Sequence, residues 1–221
     1  MLEYLKNKKV LILAAHPDDE VLGVGATANM LNSLGCEIEL ITFTDGVSSR
    51  DNHKNNRNIK LEEVSKIIGI QRFTYGSFPD NALDSVSMLE LSKFIENNIS
   101  GNYDIVFTHF EGDLNIDHKI VARATLTAFR PQNGTKTKIY SYYVPSATDY
   151  NPFSCFDGNS YIQVSQENVD AKIKALKVYD KEMRPPPHTR SYMNVLSLLN
   201  VWGYQVGVEY AEKFKLIREI I

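Results

Sequence analysis

The stretch Val10-Leu11-Ile12-Leu13-Ala14-Ala15-His16-Pro17-Asp18-Asp19 decides the fold. Its first six residues form an unbroken apolar run, the pattern of a strand covered on both faces in a parallel sheet. The run gives way at once to an imidazole and two carboxylates. Strand ends on the carboxyl side of an open α/β sheet border a crevice rather than a packed layer, so polar groups there point to chemistry. A second cluster, Asp113-Leu114-Asn115-Ile116-Asp117-His118, follows another strand-like run, Tyr103-Asp104-Ile105-Val106-Phe107-Thr108. Both clusters are expected to open into one crevice.

Working outward, the pattern predicts a helix over 24–34 ended by Gly35, then a strand over 37–44, which together make a βαβ unit. It continues with a helix over 55–68 closed by Gly69, a strand over 72–75, a helix over 87–98 and the strand over 103–108. The fold class that follows is α/β, a Rossmann-like, mostly parallel sheet with helices on both faces. After a strand over 139–144, Pro, Asn, Ser, Asp and Gly make 145–160 a loop. Helical periodicity resumes over 166–179, Pro185-Pro186-Pro187 predicts an extended segment, and 191–199 and 208–217 read as closing helices. With no repeat, biased tract or linker, 1–221 is expected to be a single domain.

The chain has 221 residues, 43% of them apolar, enough to bury one substantial core. Its 24 basic and 27 acidic residues leave a net charge of −3, which argues against a nucleic-acid partner and for a small-molecule one. Cys36 and Cys155 are the only cysteines, too few for a disulfide framework and without metal-binding spacing, so a cytoplasmic location is expected. The apolar run near the start is shorter than the ~7–15 residues of a signal peptide core. No stretch approaches the ~20 apolar residues of a membrane span, which leaves room only for peripheral contact with a lipid-linked substrate.

Zinc sites take nitrogen, oxygen or sulfur donors, and catalytic ones usually keep three protein ligands and an open position. His16, Asp19 and His118 supply such a set. The i, i+3 spacing of His16 and Asp19 lets both point into one site if a turn or helix start follows. Asp18 would then be left over as a base, although both aspartates could equally cap the next helix. Asp117 is either a helix cap or a carboxylate that orients a nearby histidine. Gly23-Val24-Gly25 does not make a dinucleotide site: Ala28 occupies the third glycine position, and the acidic turn before it would repel a pyrophosphate.

Taken together, the two clusters resemble the zinc-dependent N-deacetylases of the LmbE-like, or PIG-L, family. The resemblance extends through Thr42-Phe43-Thr44-Asp45-Gly46-Val47, Thr127-Ala128-Phe129-Arg130-Pro131, Val144-Pro145-Ser146-Ala147-Thr148, Pro187-His188-Thr189-Arg190-Ser191 and Gly207 to Phe214, all in order along nearly the whole chain. It implies a Rossmann-like fold and removal of an acetyl group from an amino sugar. By resemblance, His16, Asp19 and His118 bind Zn²⁺, or Fe²⁺ in cells, and Asp18 is the general base.

Members in the mycothiol and bacillithiol pathways carry a histidine where this chain has Asn115, which can donate to an oxyanion but cannot shuttle a proton. The missing acid is expected to be Asp18 itself, His109 at a strand end, or His188 after the three prolines. His109 and His188 read equally as packing and surface residues. Arg50, Arg57 and Arg190 are candidate substrate contacts on the rim. The expected substrate is a nucleotide- or lipid-linked N-acetylhexosamine in surface polysaccharide or glycoconjugate synthesis. A phosphoesterase using Mg²⁺ or Mn²⁺, or a sugar-binding subunit without turnover, would use the same residues.

Overall fold

The computed structural model describes residues 3–44, 55–131 and 136–220, without the side chains of 55–59. Seven strands form one sheet: β1 (Lys9–Ala14), β2 (Glu37–Thr42), β3 (Arg72–Tyr75), β4 (Ile105–His109), β5 (Lys138–Tyr142), β6 (Ser160–Gln163) and β7 (Ala211–Arg218). Their order is β3-β2-β1-β4-β5-β7-β6. The first five run parallel, whereas β7 pairs antiparallel with β5, and β6 with β7. The fold is therefore α/β and mostly parallel, with six α-helices among the described residues: α1 (Asp19–Ser33), α2 (Asn55–Ile68), α3 (Met88–Asn98), α4 (Ile116–Ala128), α5 (Gln166–Val178) and α6 (Tyr192–Gln205).

The apolar run of β1 is continuous because each of its faces meets a different core. Val10, Ile12 and Ala14 join Leu61 and Val64 of α2 and Leu176 of α5 on one side. Leu11 and Leu13 join Leu91 and Ile95 of α3 and Val121 of α4 on the other. The chain builds outward from β1 through β2 to β3, then returns to lay β4 on the opposite side of β1. The crevice of such a sheet lies where the strand order reverses, at the carboxyl ends of β1 and β4.

Helix α1 starts at Asp19, five residues earlier than the periodicity predicts. Twelve of its fifteen residues are buried, so it shows little amphipathic contrast and its first turn is hidden from pattern reading. A Cβ on Gly23 would lie 2.2 Å from the Tyr142 ring, so glycine there lets α1 close onto the sheet. Gly35 and Gly69 end α1 and α2 at φ 78 and 84, the left-handed conformation glycine adopts freely.

The closing helix expected over 208–217 is instead strand β7. Along it Glu212 and Phe214 are fully buried on one face, and the alternation escapes sequence reading because one of its inward residues is a glutamate. Glu212 pairs with Lys172 of α5 at 2.5 Å and accepts the N–H groups of Ala26 (3.2 Å) and Thr27 (2.7 Å), while Lys172 Nζ donates to Leu22 O at 2.7 Å. The buried pair thus takes up backbone groups in the middle of α1. Strand β6, four residues on the sheet edge, falls just past the segment that composition marks as a loop. The three prolines lead into a turn, with a cis bond between Pro186 and Pro187, rather than an extended run.

Candidate metal centre and active site

The turn after β1 and the first turn of α4 bring His16, Asp19 and His118 together. His16 Nδ1 lies 3.2 Å and His118 Nε2 3.3 Å from the same oxygen, Asp19 Oδ2. A tetrahedral ion with bonds of ~2.0 Å separates its ligands by ~3.3 Å, so these spacings fit one divalent cation. Asp19 Oδ1 is buried with no hydrogen-bond partner among the described residues. Two imidazoles and a carboxylate make a donor set suited to zinc or iron(II).

Each histidine turns its other ring nitrogen to a carboxylate, the arrangement that fixes ligand orientation in metal sites. His118 Nδ1 meets Asp113 Oδ2 at 2.8 Å. His16 Nε2 meets Asp117 Oδ2 at 3.1 Å and Asp80 Oδ1 at 3.2 Å. Asp117 is itself held by the N–H groups of Asn81 (2.8 Å) and Leu83 (3.0 Å). It therefore orients His16 and not its sequence neighbour His118, whose partner is Asp113. Sequence reasoning gives Asp113 no role; the signal was a carboxylate five residues ahead of the histidine, on the turn leading into α4.

The carboxylates around both imidazoles favour their charged forms. Burial opposes charge on His118, but Asp19 and Asp113 outweigh it and push its pKa up to about 9. His16 is likewise raised well above its ordinary value, with Asp117, Asp19 and Asp80 overcoming burial. Burial works against the Asp19 carboxylate too, yet His118, His109 and His16 hold it well below the usual range.

Asp18 occupies the N-cap position of α1 but makes no side-chain cap bond, so the capping alternative fails for this residue. Its carboxylate, 4% exposed, takes a hydrogen bond from Arg190 Nη1 at 3.0 Å. Burial raises Asp18 to about 7, opposed by the Arg190 charge, within the range suited to a general base. Arg190, Asn115, His188, Glu182 and Arg184 line a cavity of ≈ 360 Å³. The residue that grips Asp18 thus also forms the cavity wall.

Asn115 caps α4: its Oδ1 accepts the N–H groups of Asp117 (2.8 Å) and His118 (3.4 Å). Its Nδ2 donates one N–H to Asn81 Oδ1 at 3.5 Å, which leaves the other for a ligand. His188 lies in the cavity wall, with Nδ1 accepting the Arg190 N–H at 3.0 Å. His109 lies behind the candidate ligands, its Nε2 3.5 Å from Asp19 Oδ2. It is fully buried, stacks on His118 at 3.9 Å, and its Nε2 accepts the Ala15 N–H at 2.9 Å. Burial and the neighbouring His118 charge hold it well below its ordinary pKa, and its bond to Ala15 supports the turn at Ala15-His16. Arg50 lies outside the described residues, and Arg57 falls in α2 with its side chain not described.

The sequence profile of the PIG-L family, described as GlcNAc-PI de-N-acetylase, matches residues 11–129, which contain all three candidate ligands. The chain belongs to the PIG-L family of deacetylases. It is 31% identical over 183 residues to the uncharacterised deacetylase YaiS of Escherichia coli K12, covering 78% of this chain and 90% of that protein. In fold it is similar to the conserved protein TT1542 of Thermus thermophilus, with a TM-score of 0.75 and 22% identity over 97% of this chain and 96% of that one. It is also similar to the N,N'-diacetylchitobiose deacetylase of Pyrococcus horikoshii, with a TM-score of 0.74 and 20% identity over 98% and 86% of the two chains. Among the described residues no helix is long and apolar enough to cross a membrane.

Proposed function

We propose that this PIG-L protein hydrolyses the N-acetyl group of an N-acetylated amino sugar, with His16, Asp19 and His118 holding one divalent ion, zinc before iron(II). The substrate we favour is a nucleotide- or lipid-linked N-acetylhexosamine destined for a surface polysaccharide or glycoconjugate. The observation that carries the reading is Asp18: a buried carboxylate that declines to cap its own helix and is held by the cavity residue Arg190. The deacetylase names of its relatives support the same reaction.

The ion, when bound, would supply Lewis acidity toward the amide carbonyl and make water easier to deprotonate. Asp18 takes the water proton and returns it to the departing amine, so one carboxyl group serves as base and then acid. Arg190 keeps that carboxylate in place during both transfers. Asn115 Nδ2 is the donor we assign to the developing oxyanion, its Oδ1 being committed to the helix cap. His188 is assigned to the sugar rather than to proton transfer, since its Nδ1 already accepts a backbone N–H.

The test incubates zinc-loaded protein with a panel of N-acetylated sugars, followed by mass spectrometry and an acetate assay. Loss of one acetyl group, with Asp18→Ala slowing turnover by ~10²–10⁴-fold at unchanged metal content, is the expected result. Release of phosphate without acetate, full turnover by Asp18→Ala, or a protein that takes up no metal would overturn it.

A further inference from the structure

Glu20 is a fully buried carboxylate that the proposed chemistry leaves unused. Both its oxygens are engaged: Oε2 accepts the Asp18 N–H at 2.9 Å and Oε1 the Tyr179 O–H at 3.0 Å. It therefore does not act on a substrate directly. Tyr179, 2% exposed, is anchored in the main core just beyond α5, so Glu20 links Asp18 to a rigid part of the molecule.

The backbone of Asp18 gives that link a purpose. Asp18 sits at φ 130, ψ −28, a conformation that L-residues adopt only when their surroundings impose it. In a capping box an early helical Glu bonds back to the N-cap N–H while the N-cap side chain bonds forward to the helix. Here the backward bond is made from Glu20, two residues on, and the forward bond is absent. The carboxylate that would complete the box is turned instead toward Arg190. Half of a capping motif has been kept to hold the backbone, and the other half released.

We propose that Glu20 is a positioning residue that grips the Asp18 peptide N–H and so fixes the direction of the Asp18 carboxylate. The inference rests on the reading of Asp18 as the general base. That reading fails separately, if Asp18→Ala keeps its turnover.

The test compares Glu20→Ala and Glu20→Gln in the metal-loaded enzyme, reading kcat, KM and bound metal on the best substrate of the panel. With the N–H released, the Asp18 backbone relaxes and its carboxylate moves. Glu20→Ala is then expected to lose about 10²-fold in kcat, with KM and metal content as in the parent protein. Glu20→Gln retains an amide oxygen for the Asp18 N–H and can donate its NH₂ to the Tyr179 oxygen, so it should recover most of kcat. A parental kcat in Glu20→Ala, a Glu20→Gln variant as slow as Glu20→Ala, or loss of metal in step with kcat would each overturn the proposal. Should Glu20→Ala not fold, Glu20→Asp replaces it: its side chain keeps the carboxyl group but is one methylene too short to reach Asp18 and Tyr179 together. A slow Glu20→Asp supports the assignment, and a parental kcat overturns it.

Discussion

Lys172 and Glu212 offer the sharpest test of the energetics, because their pairing takes up backbone groups inside a helix rather than decorating a surface. Both side chains are about 1–2% exposed. Lys172→Met leaves Glu212 without its cation but with the Ala26 and Thr27 N–H groups, and Glu212→Gln leaves a buried ammonium facing a neutral amide with a single acceptor oxygen. Breaking a buried pair from one side costs about 3–5 kcal/mol, a large part of a typical total stability of about 5–15 kcal/mol. The double variant removes both charges. Its glutamine oxygen can still accept one of the two N–H groups, leaving one buried donor unpaired and Leu22 O without the Lys172 donor, at about 1–3 kcal/mol each. Urea unfolding of the three variants should therefore place the loss in the double variant well below the sum of the two single losses. A double variant that loses the sum of the two single losses, or a Glu212→Gln protein within about 1 kcal/mol of the parent, would refute the account of this pair.

Asp113→Ala removes the carboxylate behind His118 and should weaken metal binding about 10–100-fold, measured by titration against a competing chelator. Metal affinity should rise with pH up to about 9, because the His118 proton must leave before its ring nitrogen can bind an ion. In the metal-free protein the same group works in reverse. Its folded pKa lies above its ordinary 6.5, so its stabilising contribution is complete below about 6.5 and is lost as pH rises through about 9. Thermal melts without metal should show that decline, and melts with metal should not. Gly23→Ala drives a methyl group into the Tyr142 ring and should destabilise the protein by about 1–3 kcal/mol, seen as a lowered melting temperature.

Much of the sheet is legible in the sequence because β1 and β4 are buried on both faces and read as apolar runs, while β2 alternates Glu37 and Glu39 with Ile38 and Leu40 in the period of a strand. The candidate ligands are legible for a related reason: each lies within a few residues of where such a run stops or a helix begins. Partners that depend on the turn of a loop are not. Asp113 and Asp117 stand in the same hexapeptide, and only the fold decides that the first serves His118 and the second His16. Arg190 can be marked as interesting from sequence, but its bond to Asp18 spans 172 positions of chain. His109 is marked by its strand end, but only the fold shows its ring taking a backbone amide while stacking on His118. Strand β7 reads as a helix because the ion pair that permits Glu212 to face inward comes from α5.

The family profile stops at residue 129, and the three candidate ligands all come before it. The wall of the adjoining cavity owes Ser146, Ala147, Glu182, Arg184, His188 and Arg190 to the chain that follows. On the proposed reading, the seat of the ion and most of the wall beside it are thus encoded in separate lengths of polypeptide. On that same reading, a swap of the 145–190 segment between relatives should exchange the recognised sugar while sparing the seat of the ion, provided that Lys172, Tyr179 and Arg190 travel unchanged.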